Sequence, residues 1–178
     1  MKARISIFFL LIMFIYAPRV EGQSDSKKAK IISDSQDAKA EFLKADKTMS
    51  GFFSKAYGYV IFPNVGKGGL GIGGASGNGA VYQGGKLVGS AKLTQISIGL
   101  QAGGQSYREV IFFENKGVMD RFKDNHVELS AQVSAVAASS GASANAKYIE
   151  GVMVFTMQKG GLMYEASVGG QKFKFESN

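Results

Sequence analysis

A chain of 178 residues, 45% hydrophobic and 20% charged, has room for one domain with a real core, which excludes wholesale disorder and a second domain of similar size. With no cysteine and a single histidine it is not a disulfide scaffold, a thiol enzyme or a lipid-anchored lipoprotein, and no cluster has metal-ligand spacing. The formal net charge of +7 favours an anionic partner.

At the start of the chain, Lys2 and Arg4 precede an apolar run over 5–17, and Val20-Glu21-Gly22 then puts small or short residues where a signal peptidase reads. The run is shorter than the roughly 20 residues of a spanning helix. The pattern predicts a signal peptide over 1–22, cut after Gly22, and a polar basic linker over 23–30, followed by a single domain over 31–178. The protein is then exported, periplasmic or secreted, and either place allows peripheral association with a membrane. Without the leader, 18 basic and 13 acidic residues remain, a net charge of +5. Between Asp46 and Glu109 there is no carboxylate, whereas Lys47, Lys55, Lys67, Lys86, Lys92 and Arg108 all fall there.

Ile31, Ser35, Ala38, Phe42, Ala45, Met49 and Phe52 recur at alternating spacings of four and three, the stripe of an amphipathic helix with Ser35 as its one polar member. Asp46 can cap a second helix, so two are expected, over about 27–45 and 47–56. From Tyr57 the period falls to two. A short strand over 57–62 is expected to stop at Pro63, with others at about 67–75, 79–83, 86–92, 95–103 and 107–114. Asn78-Gly79 and Gly84-Gly85 carry hairpin chemistry. Ala91 and Leu93 lie on one phase and Ile96, Ile98 and Leu100 on the other, so Thr94-Gln95 marks a bulge or a corner. Asn115 can cap a short helix bearing Val118, Met119 and Phe122. Alternation over 126–137 reads as a half-buried strand and 139–147 as a loop. Strands at about 148–157, 161–168 and 171–175 close the chain through Lys159-Gly160-Gly161 and Gly169-Gly170 turns. The fold class is α+β, with N-terminal helices packed on a mainly antiparallel, glycine-rich β-sandwich or barrel-like sheet.

Half of the residues over 64–79 are glycine, and two overlapping runs, 66–71 and 69–74, match G-x-G-x-x-G. A dinucleotide site needs a helix directly after the glycines and an acid about 20 residues on. Here a strand follows, and no acid occurs before Glu109. As a strand, 64–79 aims Leu70 and Ile72 to one face and leaves Gly69, Gly71 and Gly73 as bare backbone, suited to the close approach of a packed element or of a ligand. His126 falls on the polar phase beside Glu128, as a solvated residue. Ser76 lacks the second glycine of a nucleophile elbow, and Glu109 and Glu114 fall on opposite faces of one strand, unsuited to paired acid and base work. These residues argue for no enzyme and no cofactor.

Two binding readings remain. Lys27, Lys28 and Lys30, an amphipathic helix, Phe52 and Phe53 as candidate exposed aromatics, and the carboxylate-free basic stretch would suit an anionic membrane surface; the competing reading packs the helix stripe on the sheet. Nucleic acid is disfavoured by export and by aromatics that lie in apolar runs.

The segments "KAYGYVIFPNVGKGGLGIGGASGNGAVY" (55–82) and "GKLVGSAKLTQISIGLQAGGQSYREVIFFEN" (85–115) resemble the SYLF domain, the Ysc84-like lipid- and actin-binding module. An alanine-rich stretch over 131–144 and "KGGLMYEASVGG" (159–170) extend the likeness to about 30–175. The resemblance implies binding of phosphoinositides or other anionic lipids, assisted by an N-terminal amphipathic segment; eukaryotic members also bind and bundle actin. An exported protein does not routinely meet cytosolic actin, so lipid binding in general is what carries over. The expected lipid-binding set is Lys27, Lys28, Lys30, Phe52, Phe53, Lys55, Lys67, Gly69, Gly71 and Gly73, with Lys55 and Lys67 at the entrance to the bare-faced strand. No cofactor, metal or nucleic acid is expected. The alternative is a structural or protein-interaction envelope protein, actin-binding-like and without lipid affinity.

Overall fold

The computed structural model describes residues 21–99, 104–126, 128–130, 133, 135–159 and 168–178, so the expected signal peptide up to residue 20 and the strand expected at about 161–168, but for its last residue, lie outside the described residues. Helix α1 (Glu21–Ala45) begins earlier than its periodicity suggested, and the basic segment expected as a linker forms its first turns. Once later turns are fixed by packing, each added residue gains a hydrogen bond without a new nucleation cost, so a polar segment can continue the helix. The stripe does pack on the sheet: Ser35, Ala38 and Phe42 are buried. Ser35 is tolerated there because its hydroxyl donates to the Ile61 carbonyl at 3.2 Å. Asp46 ends α1 and caps a 3-10 turn, Lys47–Met49, which runs into α2 (Ser50–Lys55).

Strand β1 (Gly58–Gln83) pairs through 58–68 with β3 (Gly104–Phe113) and through 71–83 with β2 (Lys86–Gly99). Fully extended, it would hold Gly58 and Tyr82 about 80 Å apart. Instead, a Cβ on Gly58 would lie 2.8 Å from the Tyr82 carbonyl oxygen, and the Tyr59 and Tyr82 rings stack at 5.1 Å. β1 therefore doubles back on itself and supplies two staves of the sheet, turning near Gly69, whose φ is +152°. Pro63 does not stop the strand; it sits in the irregularity between Phe62 and Val65, where ladder pairing is already interrupted and its missing N–H matters least. Asn78-Gly79 is not a hairpin either: Asn78 faces Lys92 and Gly79 faces Ala91 in mid-ladder. The Gly84-Gly85 hairpin forms as expected, both glycines at positive φ. No bulge occurs at Thr94-Gln95; the shift lies between Val81 and Tyr82. Gln95 instead stays on the buried phase, its Nε2 donating to the Gly169 carbonyl at 2.8 Å, and Ile96 is left 81% exposed.

Helix α3 (Lys116–Lys123) follows β3, capped by Asn115, which accepts from the Val118 amide at 3.2 Å. Of the strand expected over 126–137, only β4 (Ala135–Ala137) is regular, with a separate bridge from Glu128 to Lys172; residues 127, 131, 132 and 134 lie outside the described set. The expected loop over 139–147 contains a 3-10 turn, Ala142–Asn145. β5 (Val152–Gln158) begins later than expected because Glu150 and Gly151 turn the chain at positive φ. β6 (Lys172–Ser177) is the last strand.

The sheet runs β4-β5-β3-β1-β2-β6, antiparallel except for β4 with β5, and it is not closed. Both faces are buried. Val60, Phe62, Leu93, Ile111, Phe113 and Phe173 form an inner core with Phe122 of α3. On the outer face, Tyr59, Ile61, Phe112 and Phe155 pack under Phe42, Met49 and Phe53. This is the expected α+β arrangement of helices on a mainly antiparallel sheet.

Candidate functional site

Residues 25–30 of α1 are exposed, and Lys27, Lys28 and Ile31, one turn apart, present the same flank of the helix. That flank faces three strands. Asn78 of β1, Lys92 of β2 and Lys174 of β6 stand side by side in register, on the outer face that α1 covers. Together with Ser90, Ala91 and Glu176 these residues line a cleft of about 400 Å³. Glu176 pairs with Lys174 at 3.2 Å, while among the described residues no carboxylate pairs with Lys27, Lys28 or Lys92. Like charges directly opposite on neighbouring strands destabilise a sheet; Glu176 offsets Lys174 in part, and an anion in the cleft would offset Lys92, Lys27 and Lys28.

The structure brings only part of the expected set here. Lys27 and Lys28 line the cleft; Lys30 points to the other flank of α1 and pairs with Asp34 at 2.9 Å. Phe53 is no exposed anchor: it is buried, its ring edge-on to Tyr59 at 5.1 Å and Phe112 at 4.9 Å, with the Lys39 ammonium 4.7 Å above it. Phe52 is half-buried, its ring 5.8 Å from both Phe112 and Phe155. Aromatic residues at the end of a short helix lying on a sheet find more apolar area below them than in solvent. Phe52 and Lys55 share a separate cleft of about 360 Å³ with Thr48, Gly51, Glu114 and Tyr148. Burial and the Glu114 carboxylate push the Tyr148 phenol up.

Lys67 faces Gln105 at one end of the first arm of β1, and Lys55 precedes the other end, about 30 Å away along the strand. They do not form a shared entrance. Gly71 pairs with Gly99 and Gly73 with Ser97, and Gly69 lies at the fold-back. Further along the same stretch, a Cβ on Gly77 would lie 2.8 Å from the Asn64 carbonyl oxygen and one on Gly79 2.5 Å from that of Ile61. At these positions the bare backbone accommodates the chain's own first arm rather than a ligand.

Lys174 escaped sequence reasoning because it lies far along the chain from Lys27, although the alternation Lys172, Lys174, Glu176 against Phe173 and Phe175 marks it as outward-facing. His126 is exposed, beside Glu128 as its alternation implied, and lines a cleft of about 190 Å³ with Arg121 and Glu150. Among the described residues, no helix is long and apolar enough to cross a membrane.

Comparison with known proteins places this architecture. Residues 94–178, from the outer half of β2 through β6, match the family model Ysc84, described as Las17-binding protein actin regulator. Beta cell expansion factor A of Aeromonas veronii is 32% identical over 123 residues, covering 68% of this chain and 46% of that protein. The chain thus spans just under half the length of the relative it matches. Through residues 94–178 the chain belongs to the Ysc84 (SYLF) family, a family of binding domains linked to lipid and actin rather than of enzymes.

Proposed function

We propose that this is an exported, non-catalytic protein that docks on anionic phospholipid surfaces through the outer face beside α1. One observation carries the reading: Lys92 stands opposite Lys174 in register, with Lys27 and Lys28 of α1 facing them across the cleft. Because the apolar stripe of α1 is spent on the sheet, the contact is a superficial, electrostatic one and not the insertion of an amphipathic helix. Phosphoinositide-like headgroups, with several phosphates, fit such a surface best.

Co-sedimentation of the chain from Gln23 onward with phosphatidylcholine and phosphatidylglycerol vesicles tests this. Binding is expected to the anionic vesicles alone and to weaken as salt rises. Each lysine neutralised among Lys27, Lys28, Lys92 and Lys174 is expected to cost about 1 kcal/mol, roughly fivefold in affinity. Binding that ignores salt, or no binding to either vesicle, sinks the reading. The family description then favours the second one, a protein partner of actin-regulatory type with no lipid affinity.

A further inference from the structure

On the other flank of α1, three cations converge where the helix passes over the irregularity in β1. The hydrogen bond from Ser35 to the Ile61 carbonyl sets the helix there, with Lys30 and Asp34 on the turn before it. Beneath, Asn64 Oδ1 accepts from Ser106 Oγ at 2.7 Å and from Lys159 Nζ at 3.3 Å. Arg108 stands opposite Met157, and the Lys159 amide donates to the Ser106 carbonyl at 3.0 Å, so Arg108 and Lys159 are diagonal neighbours across β3 and β5. Arg108 is half-buried on the outer face, and among the described residues no carboxylate pairs with its guanidinium.

The local charge is only partly compensated. Burial pushes the Lys159 ammonium below its ordinary value, and the charges of Arg108 and Lys30 push it further, with Asp34 only partly opposing them. Asp34 is already engaged by Lys30. A partly desolvated lysine beside an unpaired guanidinium gains from an anion, and a planar guanidinium fork matches the paired oxygens of a phosphate. The Asn64 amide nitrogen offers a neutral donor at the same spot, its orientation held by the Ser106 hydroxyl, which donates to the amide oxygen.

We infer that Arg108, Lys159 and Lys30, with Asn64 and Ser106, form a discrete phosphate site that holds a single phosphate group of a mono- or diester. The site deepens the membrane reading and rests on it only for the source of that phosphate, a lipid headgroup or a soluble ester.

Thermal unfolding of the chain is followed against inorganic phosphate at constant ionic strength for wild type, Arg108→Gln, Lys159→Met and the distant Lys86→Gln. Phosphate is expected to raise the midpoint of wild type and of Lys86→Gln alike, while Arg108→Gln and Lys159→Met each bind about tenfold more weakly. Lys159 lies at the exposed end of β5, so its variant keeps the test standing should Arg108→Gln fold poorly. No phosphate-specific shift, or an unchanged one in both site variants, overturns the inference. The same proteins are then sedimented with phosphatidylglycerol vesicles. Loss of binding in the site variants assigns the phosphate to a headgroup. A phosphate shift in a protein that binds no vesicle supports the site, assigns it to a soluble ester and refutes the membrane reading; vesicle binding without any phosphate shift does the reverse.

Discussion

Asp46 accepts from the Thr48 amide at 3.0 Å, from the Thr48 hydroxyl at 2.6 Å and, across the fold, from the Ser143 amide at 2.8 Å. The Thr48 and Ser143 hydroxyls also meet. One carboxylate therefore caps a 3-10 turn and ties it to a second, almost a hundred residues later. Burial raises such a carboxyl, but the hydrogen bonds from Thr48 and Ser143 outweigh it and hold Asp46 well below the usual carboxylate range. Removing the acceptor strands a buried amide, so Asp46→Ala is expected to lose about 1–3 kcal/mol. A lower urea midpoint at unchanged m-value would show it; an unchanged midpoint would mean that the two turns hold without the tie. The sequence marked Asp46 as a cap from its neighbours, yet its bond to Ser143 left no local trace.

Among the elements, β1 departs most from its sequence reading. Each arm has the alternation of an ordinary strand, and glycine clusters usually announce turns, so the stretch read as three strands with a hairpin at Asn78-Gly79. The actual fold-back lies nearer Gly69, and the later glycines serve close approach instead of a turn. Gly79 is the sharpest case. A Cβ there would sit 2.5 Å from the Ile61 oxygen and 2.7 Å from Phe62 Cδ1, nearer than real side chains come. Gly79→Val must pry the arms apart and is expected to cost at least about 2 kcal/mol. At Gly66 a Cβ meets nothing within 4 Å, so Gly66→Ala should stay within about 0.5 kcal/mol of wild type. Equal urea midpoints for the two variants would contradict the fold-back. Helices α1 and α3 were legible because their stripes and caps are local; at Thr94-Gln95 the expected bulge does not form, because the buried Gln95 amide, its nitrogen donating to the Gly169 carbonyl, keeps the buried phase and leaves Ile96 exposed.

At the scale of the whole molecule, two carboxylates set opposite pH dependences. Asp46, with its folded value depressed, contributes stability that is fully present above the unfolded value near 3.8 and is lost as pH falls below it. Glu109 is fully buried on the inner face, held by Gln171 Nε2 at 3.0 Å, and burial pushes it up to about 8 despite that bond. Its folded value lies above its unfolded one near 4.5, so the folded state binds the extra proton and stability declines from about pH 4.5 to 8, by at most about 1.4 kcal/mol per pH unit. The molecule should therefore be most stable between about pH 4 and 5. In Glu109→Gln, which mimics the protonated form, the decline towards pH 8 should vanish; chemical denaturation across pH decides, and a slope that survives in the variant would clear Glu109.

What the sequence determined by itself was local: the helix stripe, the caps at Asp46 and Asn115, the Gly84-Gly85 turn, the α+β class and the family likeness, each set by residues within a few positions or by one recurring pattern. Tertiary structure alone decided which cations meet. Lys27 and Lys174 share a surface only because α1 lies across the sheet beside β6, and Arg108 and Lys159 only because β5 pairs with β3. Electrostatic sites are made by distance in space, and chain separation carries almost no information about it.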